Sequence, residues 1–260
     1  MNWADIERAH PVEIPALLSF LERNAPGSTR RMRGASEERI AALARPLQGG
    51  PEALPRVYLE FLRTMGERRL PMKFTWGLPE VSALLAARKR PQKWTVPKQY
   101  FKYAYGTTLE GERQDDQFMD LGRPIGGGVD AHVVLGTDRE LATGRPVEEI
   151  FESFSDQLRF SAVSVVEKYL GHYKLEVFQP ERIRDMFDAL RNMGFEPTEL
   201  GGCPRHVPLV APGKAMVAMM TTSGTSSSTP HVTVAARDEK QLLRATEILK
   251  DLRVRWRPAR

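Results

Sequence analysis

The sequence predicts an α+β protein in two parts, a larger one over residues 1–171 and a smaller one over residues 172–260. Three observations predict it. Apolar residues recur at helical spacing before and after a central stretch, residues 98–137, in which the period falls to two. Gly171 closes the last helical pattern of the first part. Beyond it, the order strand, helix, strands, helix describes a small two-layer α/β sandwich unit.

Ile14, Leu17, Leu18 and Leu21 place four apolar side chains on one face of a helix over about residues 12–24. Residues 24–34 (NAPGSTRRMRG) mix turn formers with three arginines and read as a connecting loop. Ser36 is placed to cap a helix whose first turn holds Glu37 and Glu38, where the helix dipole favours carboxylates; Ile40, Leu43, Ala44 and Leu47 form its apolar face. Gly49-Gly50-Pro51 ends it. Pro55 opens the next helix, which carries Val57, Tyr58, Phe61, Leu62 and Met65 and stops at Gly66. The two are expected to pair as a hairpin.

Alternation at Phe101, Tyr103 and Tyr105, at Phe118–Leu121, and at Val129, Ala131, Val133 and Leu135 predicts antiparallel strands. Pro146-Val147-Glu148-Glu149 is expected to open a helix that runs through Ile150, Phe151, Phe154, Leu158, Val163, Val166 and Leu170. The second part begins with a strand from Tyr173 to Phe178 and a helix opened by Pro180, with Ile183, Met186, Phe187 and Leu190 on one face. Strands follow near 195–199, 214–221 and 231–236, then a helix begun by Asp238 with Leu242, Leu243, Leu249 and Leu252. Residues 221–230 (TTSGTSSSTP) are expected to form a hairpin loop, since glycine and small hydroxyl residues build no core.

Composition narrows the functional classes. The 260 residues are 41% apolar and 27% charged, the make-up of a globular chain rather than a fibrous or disordered one. The longest apolar run, Ala215 to Met220, is far shorter than the roughly 20 residues needed to cross a bilayer, so no membrane association is expected. The opening MNWADIE carries acids where a signal peptide needs a basic and then an apolar segment, which predicts a cytoplasmic location. The single cysteine, Cys203, excludes an intrachain disulfide and a cysteine-based zinc cage. The net charge of +5 is local: residues 1–171 hold 24 Lys and Arg against 23 Asp and Glu, and residues 172–260 hold 14 against 10. Arg253, Arg255, Arg257 and Arg260 form a basic tail on a nearly neutral body.

Two charged stretches stand out. Arg88, Lys89, Arg90, Lys93, Lys98 and Lys102 fall within residues 86–102 with no acid, interleaved with Trp94, Tyr100 and Phe101. Single-stranded nucleic acid uses such chemistry, phosphates on cations and bases on rings; a solvated basic loop leading into a strand explains the same residues. Opposite in sign, Glu110, Glu112, Asp115, Asp116 and Asp120 against Arg113 make residues 110–120 net −4. That stretch is either an acidic hairpin loop or a patch that draws a basic protein partner.

The search for catalytic constellations is negative. The five histidines form no H-E-x-x-H pair. Cys203 and His206 have metal-like spacing but no further clustered ligands and no orienting acid for a nucleophile. Gly126-Gly127-Gly128 lacks a strand-turn-helix setting, and Pro212-Gly213-Lys214-Ala215 lacks the Ser or Thr that a phosphate loop carries after its lysine. Asp115 and Asp116, adjacent in an extended chain, point to opposite sides. No catalytic residue, cofactor or metal is expected, and the chain is expected not to be an enzyme.

One set of motifs goes further. Gly34-Ala35-Ser36-Glu37-Glu38-Arg39-Ile40 with Leu43, the Gly49-Gly50 break, Leu54-Pro55-Arg56-Val57-Tyr58 and Phe61-Leu62 come first. Then follow Tyr100 to Tyr105, Phe118-Met119-Asp120-Leu121, and Ile150 to Leu158 (IFESFSDQL). In that order they resemble the SMI1/KNR4 family of the SUKH superfamily over residues 34–170. The chain departs from the family pattern in Met65-Gly66-Glu67, in the long basic spacer 66–98, and in Gln157-Leu158 at the close of the last motif. The resemblance implies a SUKH-like mixed helix and antiparallel-sheet domain, with Leu54, Tyr58, Phe61 and Phe154 in its core, and a non-enzymatic binding function. In bacteria many such domains are immunity proteins that neutralise a toxin.

The expected function is therefore an immunity protein that binds a cognate bacterial toxin, with a basic nuclease as one such partner. Glu110, Glu112, Asp115, Asp116 and Asp120 are the expected contact residues. The alternative is a nucleic-acid-associated regulator that uses residues 86–102 and the arginine-rich tail.

Overall fold

A computed structural model describes residues 10–67, 77–89, 91, 93–106, 115–145, 147–149, 151–177, 182–202, 205–222 and 230–254; residues 223–229 of the expected hairpin loop lie outside the described residues. In the first part α1 (Ile14–Asn24), α2 (Glu37–Ala44), a short 3-10 turn (Gly50–Ala53) and α3 (Arg56–Met65) precede β1 (Gly77–Leu78) and α4 (Val81–Arg88). Then come β2 (Tyr100–Gly106), β3 (Asp116–Ile125), β4 (Asp130–Gly136), α5 (Asp138–Thr143) and α6 (Phe154–Leu170). The second part contributes β5 (His172–Val177), α7 (Ile183–Asn192), β6 (Glu196–Pro197), β7 (His206–Ala211), β8 (Met216–Thr221), β9 (His231–Ala236) and α8 (Glu239–Val254). The fold is α+β. Its two sheets run β1-β2-β3-β4 and β5-β9-β8-β7-β6, antiparallel throughout.

The local chemistry starts and stops most elements where the sequence predicts. Ser36 is extended and its hydroxyl accepts from the Arg39 N–H, capping α2, and Gly66 ends α3. At Gly34 a Cβ would lie 1.6 Å from the Arg63 carbonyl oxygen, so only glycine lets this segment pass the last turn of α3. That approach allows the Ala35 N–H to donate to the Leu62 carbonyl at 2.8 Å. The expected α2–α3 hairpin is not formed along the two helices. They meet at their ends, where Arg63 pairs with Glu37, while α2 packs on α4, and α3 on α1 and α6.

The helix expected from Pro146 begins later, at Phe154. Glu148 is extended and exchanges backbone hydrogen bonds with Leu135, lengthening the first sheet, and Ser153 then caps α6 by accepting from the Asp156 N–H. Among the described residues, the 3-10 turn, β1, α4 in the basic spacer, α5 with its capping box between Thr137 and Glu140, and β7 have no counterpart in the sequence expectation. Pro208 inside β7 obscured that strand, because proline cannot donate to a ladder.

The second unit has its own two layers, the sheet and the pair α7 and α8, and the first unit supplies a third. Alternation sorts the strands. Val207, Leu209, Met216, Ala218, Met220, Val232 and Val234 join Met186, Phe187, Leu190 and Leu242 in one core. Val217, Met219 and Ala235, on the opposite face, join the core of the first unit. β8 is buried at every position because both of its faces are covered, and α6 is the element lying on the second face. The sequence boundary at Gly171 is a turn in the chain, with one hydrophobic core running across it.

Candidate functional site

Buried polar side chains gather where the first turns of α6 meet the second sheet. α6 is buried over most of its circumference, and Ser153, Ser155, Asp156, Gln157, Arg159 and Ser161 near its start are buried along with its apolar residues. Burying such groups costs free energy unless each finds a partner. Asp156, wholly inaccessible, accepts from His206 at the start of β7, with Nδ1 at 2.8 and 2.9 Å from its two oxygens. It also accepts from the Glu152 N–H at 3.1 Å. Because a carboxylate only accepts, the hydrogen bond places a proton on Nδ1 of His206. The imidazole packs against the rings of Phe151 and Phe160, with centroids 5.4 and 5.3 Å away.

Charged residues rim this pair. The Arg205 guanidinium donates to the Glu149 carbonyl oxygen at 2.8 Å, and Arg123 bridges Asp120 and Glu149. The bond from Arg123 holds the Glu149 carboxyl below the usual range. Burial, with the nearby Asp156 charge, pushes Glu152 up.

Deeper in, Ser155, Gln157 and Arg159 bond to other segments. Ser155 donates its N–H to Asp130 at 3.1 Å, and its hydroxyl accepts from the Val12 N–H at 2.9 Å. Gln157 bridges the Tyr103 hydroxyl and the Gln117 side chain. Arg159, wholly buried, donates through Nε to the Leu200 carbonyl at 3.0 Å and through Nη2 to the His10 carbonyl, while its Nη1 has no partner among the described residues. The network thus joins residues near the beginning of the chain, α6 and the second unit. Its geometry suits a structural tie, since the partners named are protein groups on both sides.

The residues expected to contact a partner are dispersed. Glu110 and Glu112 lie outside the described residues. Asp115 is half-buried just before β3. Asp116 is taken up by the Lys102 ammonium at 2.5 Å and the Gly106 N–H at 2.8 Å. Asp120 is buried, bonded to the Gly122 N–H and to Arg123. Asp116 and Asp120 are therefore internal counter-ions rather than members of an exposed acidic patch, because the strand that carries them turns both carboxylates toward cations of the same sheet.

The basic stretch is altered in the same way. Arg88 lies over the Phe101 ring and donates to the Leu43 carbonyl. Lys102 is held between Asp116 and Asp138; burial lowers the affinity of its amine for a proton, and the two carboxylates more than restore it. Arg90 and the end of the basic tail, residues 255–260, lie outside the described residues, as does Cys203. Among the described residues no group of His, Cys, Asp or Glu could hold a metal ion, and no helix is long and apolar enough to cross a membrane.

Two open clefts flank the turn between β7 and β8. One, of about 470 Å³, lies between the C-terminal ends of α1 and α6, with Val166, Tyr169 and Leu170 against Pro212, Arg23 and Arg237. The other, of about 420 Å³, lies between α7 and α8, with Met193, Phe195, Ala245 and Ile248 beside Lys214 and Arg244. Met216 lines both.

By spacing in the sequence His206 associates only with Cys203, and nothing local couples it to Asp156. The available signal was the Ser153-Phe154-Ser155-Asp156 pattern, a helix start followed by polar residues on what had to be a covered helix. The clefts left no signal in the sequence, since the walls of each come from segments far apart in the chain, from both units in the larger and from residues 192–248 in the smaller. No family model, no curated protein and no solved structure matches the chain.

Proposed function

We propose that this chain is a non-enzymatic binding protein of the SMI1/KNR4 type, an immunity protein that binds a bacterial toxin and blocks it. One observation carries the reading. The sequence segments that bear the resemblance supply one aromatic cluster: Phe154 meets Tyr58, Phe61 and Tyr103 at ring separations of 5.1, 5.3 and 5.4 Å, and Tyr58 meets Phe101 at 5.8 Å. Edge-to-face packing of this kind stabilises a rigid scaffold beyond simple burial. A rigid scaffold that keeps concave, largely apolar clefts open suits binding without chemistry.

Co-expression with the product of each neighbouring gene tests the proposal. The expected result is that one neighbour is toxic alone, is neutralised by this chain, and co-purifies with it in fixed stoichiometry. If neither neighbour is toxic and neither binds, the immunity reading is wrong.

A further inference from the structure

We propose that the two clefts beside the β7–β8 turn form one docking surface for an acidic segment of a protein partner, which inserts a large apolar side chain. The inference rests on the binding reading above and gives the partner a chemistry. Charge complementarity carries it. The two linings contain four cations, Arg23, Lys214, Arg237 and Arg244, and no carboxylate. Among the described residues, Arg23 alone of the four is paired with an acid, Glu199 at 3.1 Å. Lys214 donates to the Met193 carbonyl, and Arg237 lies 5.0 Å above the Tyr169 ring, so both are positioned without being neutralised.

The turn that separates the clefts fixes these cations. Ala215 adopts φ 49°, a conformation that costs an alanine about 1 kcal/mol, and its carbonyl accepts from the Arg237 N–H at 3.2 Å. Gly194 at the end of α7 leaves room for Lys214, whose ammonium would lie 3.1 Å from any Cβ there. The floor between the cations is apolar and adaptable: Met193, Met216 and Phe195, with Ile248 and Tyr169 about two-fifths exposed. Carboxylates on the rim and an apolar side chain in the floor satisfy both features. The concave, methionine-lined walls favour an inserted side chain over the flat stacking of nucleic-acid bases.

The test uses the full-length chain and labelled peptides rich in Asp and Glu around one Leu, Phe or Trp. Matched peptides carry Lys for the acids or Ser for the apolar residue, and a labelled single-stranded oligonucleotide is included. By fluorescence anisotropy at low salt, acidic apolar peptides should bind, and both matched sets should bind about tenfold or more weakly. The double variant Arg237→Glu with Arg244→Glu, at two exposed positions, should lose binding by about tenfold, while Lys98→Glu should change nothing. Absence of binding by every acidic peptide, indifference to the double reversal, or tighter binding of the oligonucleotide would overturn the proposal. So would self-association of the chain through this face. A toxin complex that survives the double reversal sinks this surface and leaves the immunity reading intact. Peptide binding that needs these arginines, in a chain that neutralises no neighbour, does the reverse.

Discussion

The two ends of α6 touch the same sheet with different chemistry. At the start, Ser155, Asp156, Gln157 and Arg159 are buried, and each is bonded to a distant segment. At the far end Val163, Val166 and Leu170 pack by shape alone, and Tyr169 faces a cleft. Directional bonds specify one docking register, because a shift of one position would leave several buried donors and acceptors unpaired. Apolar packing tolerates small adjustments, which suits a surface that receives a partner.

Four substitutions break or sharpen this contrast. The largest effect is expected at Asp156→Ala, which leaves His206 buried without its acceptor. Loss of one member of such a pair costs about 3–5 kcal/mol, read by urea denaturation. A cost near zero would mean that the polar end does not specify docking.

Next comes Glu167 on the C-terminal half of α6, whose carboxyl is pushed up to about 7 by burial, against a smaller opposing pull from Lys168. The folded state then holds a proton that the unfolded chain has released. Stability attributable to this group is greatest below about pH 4.5, falls as pH rises toward 7, and levels off above it. Glu167→Gln should flatten that slope and stabilise the protein at pH 8 by on the order of 2 kcal/mol, with thermal melts at several pH values as the check.

Ser153→Ala removes the side-chain cap of α6 and should cost about 1 kcal/mol in the same denaturation assay. Tyr169→Ala, at an exposed residue of the cleft, should change stability by less than about 0.5 kcal/mol. A larger loss would show the far end to be as tightly specified as the near one.

Legibility followed the range of the interaction. Helices α1, α2, α3, α7 and α8 and strands β2, β3, β4, β5, β8 and β9 carry their own period, and α2 its own cap at Ser36, so they are readable residue by residue. The start of α6 was misplaced because Glu148 is drawn into a bridge with Leu135, a partner outside its own segment. The clefts and the Asp156–His206 pair were not readable, since 50 residues separate that pair and no local pattern couples them.

By itself the sequence determined the α+β class, the caps, the turn at Gly171 and the scarcity of catalytic motifs, because periodicity and capping act within a few residues. Only the tertiary structure decided that α6 lies under both units, that Asp116 and Asp120 answer cations of their own sheet, and that Lys214, Arg237 and Arg244 line clefts whose walls carry no carboxylate. Those outcomes depend on which faces meet across long loops, and side-chain charge is neutralised or left free by neighbours in space rather than in sequence.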